Sequence, residues 1–144
     1  MTSLIEILTS PERRPVAVQA LSDVVEAEVR GTSGLSGMAL RAGFAAATKL
    51  RPDLVPRAID RLLPEFAAQL DPYWQQRGAQ PFGAHLQEHR EAVSEDLLSV
   101  ADHRLADPQH AALAKIYGAM RPKARGQVAD SLPRLGAAIE ELAR

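Results

Sequence analysis

Apolar side chains recur every three or four residues along most of the chain, which is the spacing of one face of an α-helix. The stripes are clearest over residues 55–70 and 128–142, and two further stripes cover residues 18–28 and 86–101. No run of alternating β-branched residues is long enough to predict a strand. The pattern therefore predicts an all-α protein.

Residues that start and stop helices divide these stripes. Ser10 and Asp107 come directly before a proline, and Asp53 comes three residues before Pro56. This arrangement is expected of a capping side chain at a helix N-terminus. Arg51–Pro52 is expected to end a helix, because the residue before a proline disfavours the α conformation. The segment 71–83 is rich in Pro, Gly and Gln and predicts a loop in the middle of the chain.

Short stretches recur between the two halves of the chain. Leu50–Pro52 is matched later by Met120–Pro122, and residues 58–66 resemble residues 128–135. The similarity indicates either an internal duplication or two amphipathic helices that look alike by chance.

A duplication predicts a definite architecture. Each half, about residues 11–70 and 82–143, would form a three-helix unit, giving a six-helix bundle with approximate two-fold symmetry. Pro64 and Pro133 would kink or end the third helix of each unit. We predict that residues 1–144 form a single helical domain.

Composition excludes several classes of protein. The chain has 144 residues and a formal net charge of -1, so its charge does not favour nucleic acid as a partner. It has no cysteine, which excludes disulfides, thiol catalysis and cysteine-ligated metals. The first residues lack the basic region of a signal peptide, and no stretch is apolar enough to span a bilayer. We expect a cytoplasmic protein, with membrane association the less favoured option.

Motifs of known catalytic and cofactor chemistry do not occur in the sequence. No serine lies in a Gly-x-Ser-x-Gly turn, and the segment Gly31–Gly37 lacks the lysine of a phosphate-binding loop. The acidic residues between 88 and 102, and the pair Glu140–Glu141, are expected on solvated helix faces, where carboxylates stay ionised. We predict that the protein is not an enzyme and holds no cofactor.

Two histidines one helical turn apart are the strongest candidate for a metal site. On a continuous helix, His85 and His89 would share a face with Asp96 and His103. Both imidazoles could bind one metal ion, with an Asp or Glu from another helix as a further ligand. Asp96 is two turns from His89 and too far to join them. A solvated helix face, or a pH-responsive interface, is the alternative.

Aromatic side chains cluster around the predicted central loop. Tyr73, Trp74 and Phe82 could anchor a protein partner, or they could fill the joint between the two halves. We predict a non-catalytic protein that acts through protein–protein interaction, either with an unidentified partner or with a second copy of itself.

Three basic residues, Arg121, Lys123 and Arg125, follow closely on one another. If the helix boundary predicted at Pro122 is correct, they lie at a helix N-terminus, where anions bind readily. They are the candidate residues for binding a phosphate group.

The second predicted helix consists mainly of small residues. Ala39, Gly43 and Ala47 are spaced four residues apart, which allows a neighbouring backbone to approach closely. We predict a central helix packed on several sides, with Arg41 paired or reaching to solvent. A cavity beside this helix that binds a small molecule or a lipid is an alternative function, as is metal binding at the two histidines.

Three short motifs carry a resemblance to a known family. They are Leu35–Gly37, Asp71–Gln75, and Tyr117 together with Arg121. Over most of its length the chain resembles a small all-helical bacterial protein family of unknown function. The resemblance implies a helical fold and carries no activity or functional residue with it.

Overall fold

The helical periodicity of the sequence corresponds to helices in space. The computed structural model describes residues 3–144, apart from the side chain of Ser36, so the first two residues of the predicted domain lie outside it. Within this range the chain forms α-helices and no strand, which confirms the all-α prediction. The helices are α1 (Leu4–Thr9), α2 (Arg14–Arg30), α3 (Gly34–Leu50), α4 (Leu54–Gln76), α5 (Phe82–Glu88), α6 (Arg90–Leu105) and α7 (Ala111–Ala143), and a short 3₁₀ helix (Pro108–His110) precedes α7.

The described residues form seven α-helices where six were predicted. Helix α1 was not predicted, because its apolar stripe spans only six residues. The fourth predicted helix is divided at His89 into α5 and α6. The fifth and sixth predicted helices are one continuous helix, α7, of 33 residues. The six-helix prediction is therefore wrong.

Four prolines lie inside helices, where each lacks the N–H that would bond the carbonyl four residues earlier. They are Pro64 and Pro72 in α4, and Pro122 and Pro133 in α7. The carbonyl that Pro64 leaves free belongs to Asp60, and it accepts a hydrogen bond of 2.6 Å from Arg14 Nη2 of α2. Helix α4 therefore continues through Pro64 with this carbonyl satisfied, and neither Pro64 nor Pro133 ends its helix.

The predicted central loop is shorter than expected. Helix α4 continues through Pro72 to Gln76, and α5 begins at Phe82. Only residues 77–81 connect the two helices, and Gly78 supplies the left-handed turn with a φ of 61°. The prediction of a loop over residues 71–83 is wrong in its first part.

The two halves of the chain do not share the same helix boundaries. Arg51–Pro52 lies between α3 and α4, as predicted, whereas Arg121–Pro122 lies within α7. The approximate two-fold symmetry is therefore not confirmed, and the internal duplication stays a prediction.

One of the three predicted caps is confirmed. The Asp107 side chain accepts a hydrogen bond of 3.0 Å from the backbone N–H of Gln109, which lowers the pKa of its carboxyl group. Asp53 is the N-cap residue of α4, but its carboxylate pairs with Arg57 and makes no capping hydrogen bond. Ser10 ends α1 and does not begin the next helix.

Buried side chains concentrate in one half of the molecule, which we call the filled half. It comprises α1, α5, α4 from Leu63 onward, the first half of α6 and the carboxyl-terminal part of α7. Its largest fully buried side chains are Leu4, Leu8, Leu63, Phe82, Leu86, Val93, Leu132 and Ile139. Helix α7 packs against α1, α2, α3, α5 and α6, so it is the common partner of most of the fold.

Helices α5 and α7 meet backbone to backbone in the filled half. A β-carbon on Gly136 would lie 2.3 Å from the Cα of Gly83, and one on Gly83 would lie 2.7 Å from the carbonyl oxygen of Pro133. Real side chains do not tolerate such distances, so both positions require glycine.

Helix α3 lies at the edge of the molecule. Leu35, Met38 and Leu50 expose 86%, 59% and 53% of their surface, and Gly37 is the one residue of α3 whose described position is buried. Arg41 donates hydrogen bonds to the carbonyl and hydroxyl oxygens of Thr32. The prediction of a central helix is therefore wrong, although Arg41 is paired. None of the helices within residues 3–144 combines the length and apolarity that crossing a bilayer requires.

Candidate functional site

A cavity of about 520 Å³ lies between α3 and the helices α2, α4, α6 and α7, in what we call the hollow half of the molecule. Its wall is almost entirely apolar and includes Leu40, Phe44, Ile59, Leu62, Ile116 and Met120. Pockets for small molecules in proteins usually measure about 300–1,000 Å³ and have mainly apolar walls. The cavity is therefore of the size and character that a small apolar ligand needs.

The composition of α3 explains why the space is not filled. Ala47 faces the cavity, and a small side chain leaves volume between helices that a larger one would occupy, whereas Gly43 is packed closely against Met120. The large apolar side chains Leu35, Met38 and Leu50 do not line it and are exposed instead. A cavity beside this helix was one of the alternatives that the sequence offered, and the structure has a cavity there.

The polar groups at the cavity carry a net positive charge. Four arginines and one aspartate are among its lining residues, namely Arg51, Arg57, Arg61, Arg104 and Asp53. Arg57 pairs with Asp53 at 3.4 Å, and Arg104 pairs with Glu65 at 3.6 Å. Arg51 and Arg61 are exposed and form no ion pair with any residue in the range 3–144. Two cations are therefore left at the cavity without an acidic partner.

His110 adds a further polar group to the same wall. Its Nδ1 is buried and has no hydrogen-bond partner among the described residues. An unpaired buried nitrogen is unfavourable unless a ligand or a water molecule satisfies it. The sequence did not predict that His110 and the arginines meet at one cavity, because this depends on how α3, α4, α6 and the 3₁₀ helix are placed around it.

Tyr117 joins the cavity wall to a hydrogen-bonded cluster between α6 and α7. Its hydroxyl donates to Asp102 Oδ1 at 2.6 Å, and Arg121 donates to the same carboxylate from Nε at 2.9 Å and from Nη2 at 2.7 Å. The hydrogen bond from Arg121 lowers the pKa of Asp102. Burial, followed by the hydrogen bond to Asp102, raises the pKa of Tyr117. Tyr117 is therefore a fixed neutral donor that holds the wall in place.

The three predicted anion-binding residues lie in the middle of α7 and not at a helix N-terminus, which is at Ala111. That premise of the prediction is wrong, because Pro122 does not begin a helix. Arg121 binds Asp102, Arg125 Nε lies 2.6 Å from Glu95 Oε1, and Lys123 is exposed. Phosphate binding by these residues stays a prediction, and it would have to displace three acidic partners, Glu91, Glu95 and Asp102.

The acidic residues that were expected on solvated faces have structural partners. Glu91 and Glu95 pair with Arg125 across the boundary between α6 and α7. The Glu140 carboxylate accepts a hydrogen bond from the backbone N–H of Phe82 and so caps α5. Glu88, Glu91, Glu95 and Glu141 are exposed, as expected, whereas Asp102 and Glu140 are half-buried.

The predicted aromatic anchor is mostly core. Trp74 and Phe82 expose 7% and 0% of their surface, and their rings meet edge to face at 5.1 Å. The Arg77 guanidinium lies 3.5 Å from the Trp74 ring centre. These contacts match the interpretation in which the aromatic side chains fill a joint, and contact of Trp74 or Phe82 with a partner stays a prediction.

Tyr73 is half-buried beside this core. Its hydroxyl donates to Asp96 Oδ2 at 2.7 Å, and burial, together with this hydrogen bond, raises the pKa of Tyr73 to about 12. The phenol therefore stays protonated at neutral pH and cannot act as a base there. Its hydrogen bond ties the end of α4 to α6.

The histidines do not lie on one continuous helix face. Helix α5 ends at Glu88 and α6 begins at Arg90, with His89 between them, so the predicted stripe with Asp96 and His103 is wrong. His85 is buried and His89 is exposed, and their ring centres are 4.8 Å apart. One ligand atom from each of His85, Glu88 and His89 lies within 4.8 Å of the others. The sequence analysis expected the acidic ligand to come from another helix. It therefore did not identify Glu88, which lies between the two histidines in the sequence.

Comparison with known proteins identifies a family and no activity. No curated protein and no solved structure matches the chain. One family model matches residues 4–143, which is nearly the full sequence, and its description is that of a family of unknown function. The helical fold and the family match agree with the resemblance seen in the sequence, and the chain belongs to the family of unknown function DUF6918.

Proposed function

We propose that the protein is a binding protein for a single-chain lipid with an anionic head group, which it holds in the cavity beneath α3. The observation that carries this proposal is an apolar cavity of about 520 Å³ with two unpaired arginines among its lining residues. The acyl chain would occupy the apolar interior, and Arg51 and Arg61 would bind the carboxylate or phosphate group.

The apolar wall supplies the affinity in this proposal. Each methylene group that leaves water contributes about 0.8 kcal/mol, so affinity should rise about fourfold per added carbon until the cavity is full. The arginines supply selectivity, because a guanidinium forms paired hydrogen bonds with a carboxylate or phosphate. The proposed function is binding, and no catalytic step is assigned to any residue.

A series of saturated fatty acids of increasing chain length tests the proposal by isothermal titration calorimetry. We expect one ligand per chain and an affinity that rises with length and then stops rising. The variant Ala47→Phe places a ring in the cavity and should weaken binding at least tenfold. This corresponds to the ring displacing about one or two methylene groups of the ligand from the cavity. The matched control is Ala46→Phe, because Ala46 is the exposed neighbour outside the cavity. Binding that is absent, independent of length or equally affected by both variants would contradict the proposal.

A second comparison tests the head group. The double variant Arg51→Gln/Arg61→Gln should weaken binding of the fatty acid and leave binding of the corresponding fatty alcohol unchanged. A control of equal charge is Arg13→Gln/Lys115→Gln, since neither residue lines the cavity. If both double variants weaken acid binding equally, the effect is one of net charge, and the assigned head-group site is wrong.

Protein–protein interaction, including self-association, stays a prediction. Its predicted residues Trp74 and Phe82 are buried, and the exposed apolar side chains lie elsewhere, at Leu35, Met38 and Leu50 of α3. Light scattering with and without fatty acid separates the two functions. A mass that rises with protein concentration and falls on adding lipid would assign the cavity to a second copy of the chain.

A further inference from the structure

A buried histidine in the filled half has one ring nitrogen without a partner. His85 exposes 7% of its surface, and its Nε2 is buried with no hydrogen-bond partner among the described residues. A buried polar atom of this kind costs free energy unless something satisfies it. This nitrogen is therefore the starting point of the inference.

The protonation of the His85 ring follows from its neighbour Gln80. The Gln80 amide nitrogen donates to Glu88 Oε1 at 2.7 Å, which leaves the Gln80 amide oxygen as the group that meets His85 Nδ1 at 3.1 Å. An amide oxygen only accepts hydrogen bonds, so Nδ1 carries the proton. In the neutral ring Nε2 then has a free lone pair, which is the form that binds metal ions.

Two further candidate ligands lie close to the His85 ring. Glu88 and His89 are exposed, and each places a ligand atom within 4.8 Å of the other two members of the group. Ligand atoms around one tetrahedral zinc ion are roughly 3.4 Å apart, given metal–ligand distances of about 2.1 Å. The buried His85 is the fixed ligand, and rotation of the two exposed side chains closes the remaining distance.

Gln80 has the role of a supporting residue. Histidine ligands of metals usually donate their second N–H to a carbonyl or carboxylate oxygen, which fixes the ring and its tautomer. Gln80 does this for His85 and at the same time holds the Glu88 carboxylate. One side chain thus orients two ligands.

We propose that His85, Glu88 and His89 bind one divalent transition-metal ion of the zinc type. Two imidazoles and a carboxylate suit Zn²⁺, and three protein ligands leave a fourth position for water. The break between α5 and α6 leaves His89 outside both helices, and its ring centre still lies 4.8 Å from that of His85. This site is separate from the lipid cavity, so either proposal can fail without the other.

Titration of the metal-free full chain with Zn²⁺ in a non-chelating buffer tests this proposal. We expect one ion per chain, and the exposed-residue variants His89→Ala and Glu88→Gln should each weaken binding at least about tenfold, as the loss of ligand-shell residues commonly does. The control is His103→Ala, which removes an exposed histidine of α6 that lies outside the group. Absent or substoichiometric binding would overturn the proposal, as would equal weakening in His89→Ala and His103→Ala.

The buried ligand is tested without removing it. In ¹⁵N spectra of the metal-free chain, His85 should show a protonated Nδ1 and a bare Nε2, and Zn²⁺ should shift the Nε2 resonance. The variant Gln80→Leu should weaken Zn²⁺ binding about 10–100-fold and abolish this tautomer preference. A Nε2 resonance that Zn²⁺ leaves unchanged, or a protonated Nε2, would exclude His85 as a ligand.

Discussion

At the scale of single residues, two glycines decide how closely α5 and α7 pack. Gly83 and Gly136 are in contact through their backbones, so there is no flexible side chain that could move aside for an added methyl group. Gly126, in the same helix as Gly136, has open space where its β-carbon would be. The sequence shows all three simply as glycines in apolar-periodic segments, and only the packing distinguishes them.

We predict that Gly136→Ala destabilises the protein by about 3 kcal/mol, because the methyl group forces the two backbones apart. Gly126→Ala should leave the free energy of unfolding unchanged or raise it by about 0.5–1 kcal/mol, since alanine favours the helix. Urea unfolding followed by circular dichroism measures both. Equal effects of the two substitutions would contradict the close approach of α5 and α7.

Residue-scale predictions from the sequence succeeded where the cause is local. Asp107 caps the 3₁₀ helix through an atom only two residues away, and the sequence identified it. Tyr73 bonds Asp96, which is 23 positions later, and that partner could not be read from spacing. Trp74 packs against Phe82 and Arg77, which are close to it in the sequence, and its burial matches one of the two interpretations of the aromatic cluster.

At the scale of helices, ionic groups join α6 to α7. Asp102 accepts two hydrogen bonds from Arg121, and its pKa is lowered mainly by them. A carboxyl group whose pKa is lower in the folded chain stabilises the fold above its unfolded pKa of about 3.9. The stabilisation by Asp102 is lost as the pH falls from about 3.9 through the lower pKa that Asp102 has in the folded chain.

Asp102→Asn should therefore lower the free energy of unfolding at neutral pH by an amount on the order of 1 kcal/mol, since the carboxylate is partly exposed and solvent weakens the pair. The difference between the variant and the natural sequence should shrink below about pH 4, where Asp102 of the unfolded chain becomes protonated. Urea unfolding at several pH values measures it. A difference that stays constant down to strong acid would show that the charge of Asp102 does not contribute.

The helix boundaries that sequence reasoning missed have non-local causes. A proline inside an apolar stripe predicts a kink or an end, but α4 passes through Pro64 with the free carbonyl bonded by Arg14. That donor is 46 positions from Asp60, so local rules could not include it. The short α1 is stabilised by α4, with Leu4 N–H donating to Asp71 at 2.8 Å, and its own sequence is too short to predict a helix.

At the scale of the whole molecule, the filled and hollow halves differ in packing. Large side chains are fully buried in the filled half, whereas α3 exposes most of its large apolar residues and borders a cavity. Local stability follows the density of buried contacts. Local unfolding should therefore be more frequent in the hollow half than in the filled half.

Native-state hydrogen exchange tests this difference. We expect amides of α3 to exchange faster than those in the second half of α4, because α3 has few buried contacts to hold it. Amides in residues 111–127 of α7 should likewise exchange faster than those in residues 128–143, where the buried positions of that helix lie. Uniform protection along α7 would contradict a division into filled and hollow halves.

The fold class was predictable because helical periodicity is a local property, and it extends over most of the sequence. The cavity beside α3 was one of several alternatives, because small residues in a helix also allow its neighbours to pack closely. Its position was not predicted, because the sequence placed α3 at the centre and the structure places it at the edge. Of the three residues of the proposed metal site, the sequence identified His85 and His89 but not Glu88.

The uninterrupted length of α7 has a mechanical consequence. The close contact of Gly83 with Gly136 holds α7 near its carboxyl-terminal end. At 1.5 Å per residue, Ala111 at the other end of α7 lies roughly 38 Å away along the helix axis. A tilt of about 5° at this contact would carry the far end through about 3 Å, by the same geometry. If α7 tilted in this way, the part of the cavity between α3 and α7 would widen without any helix having to unwind.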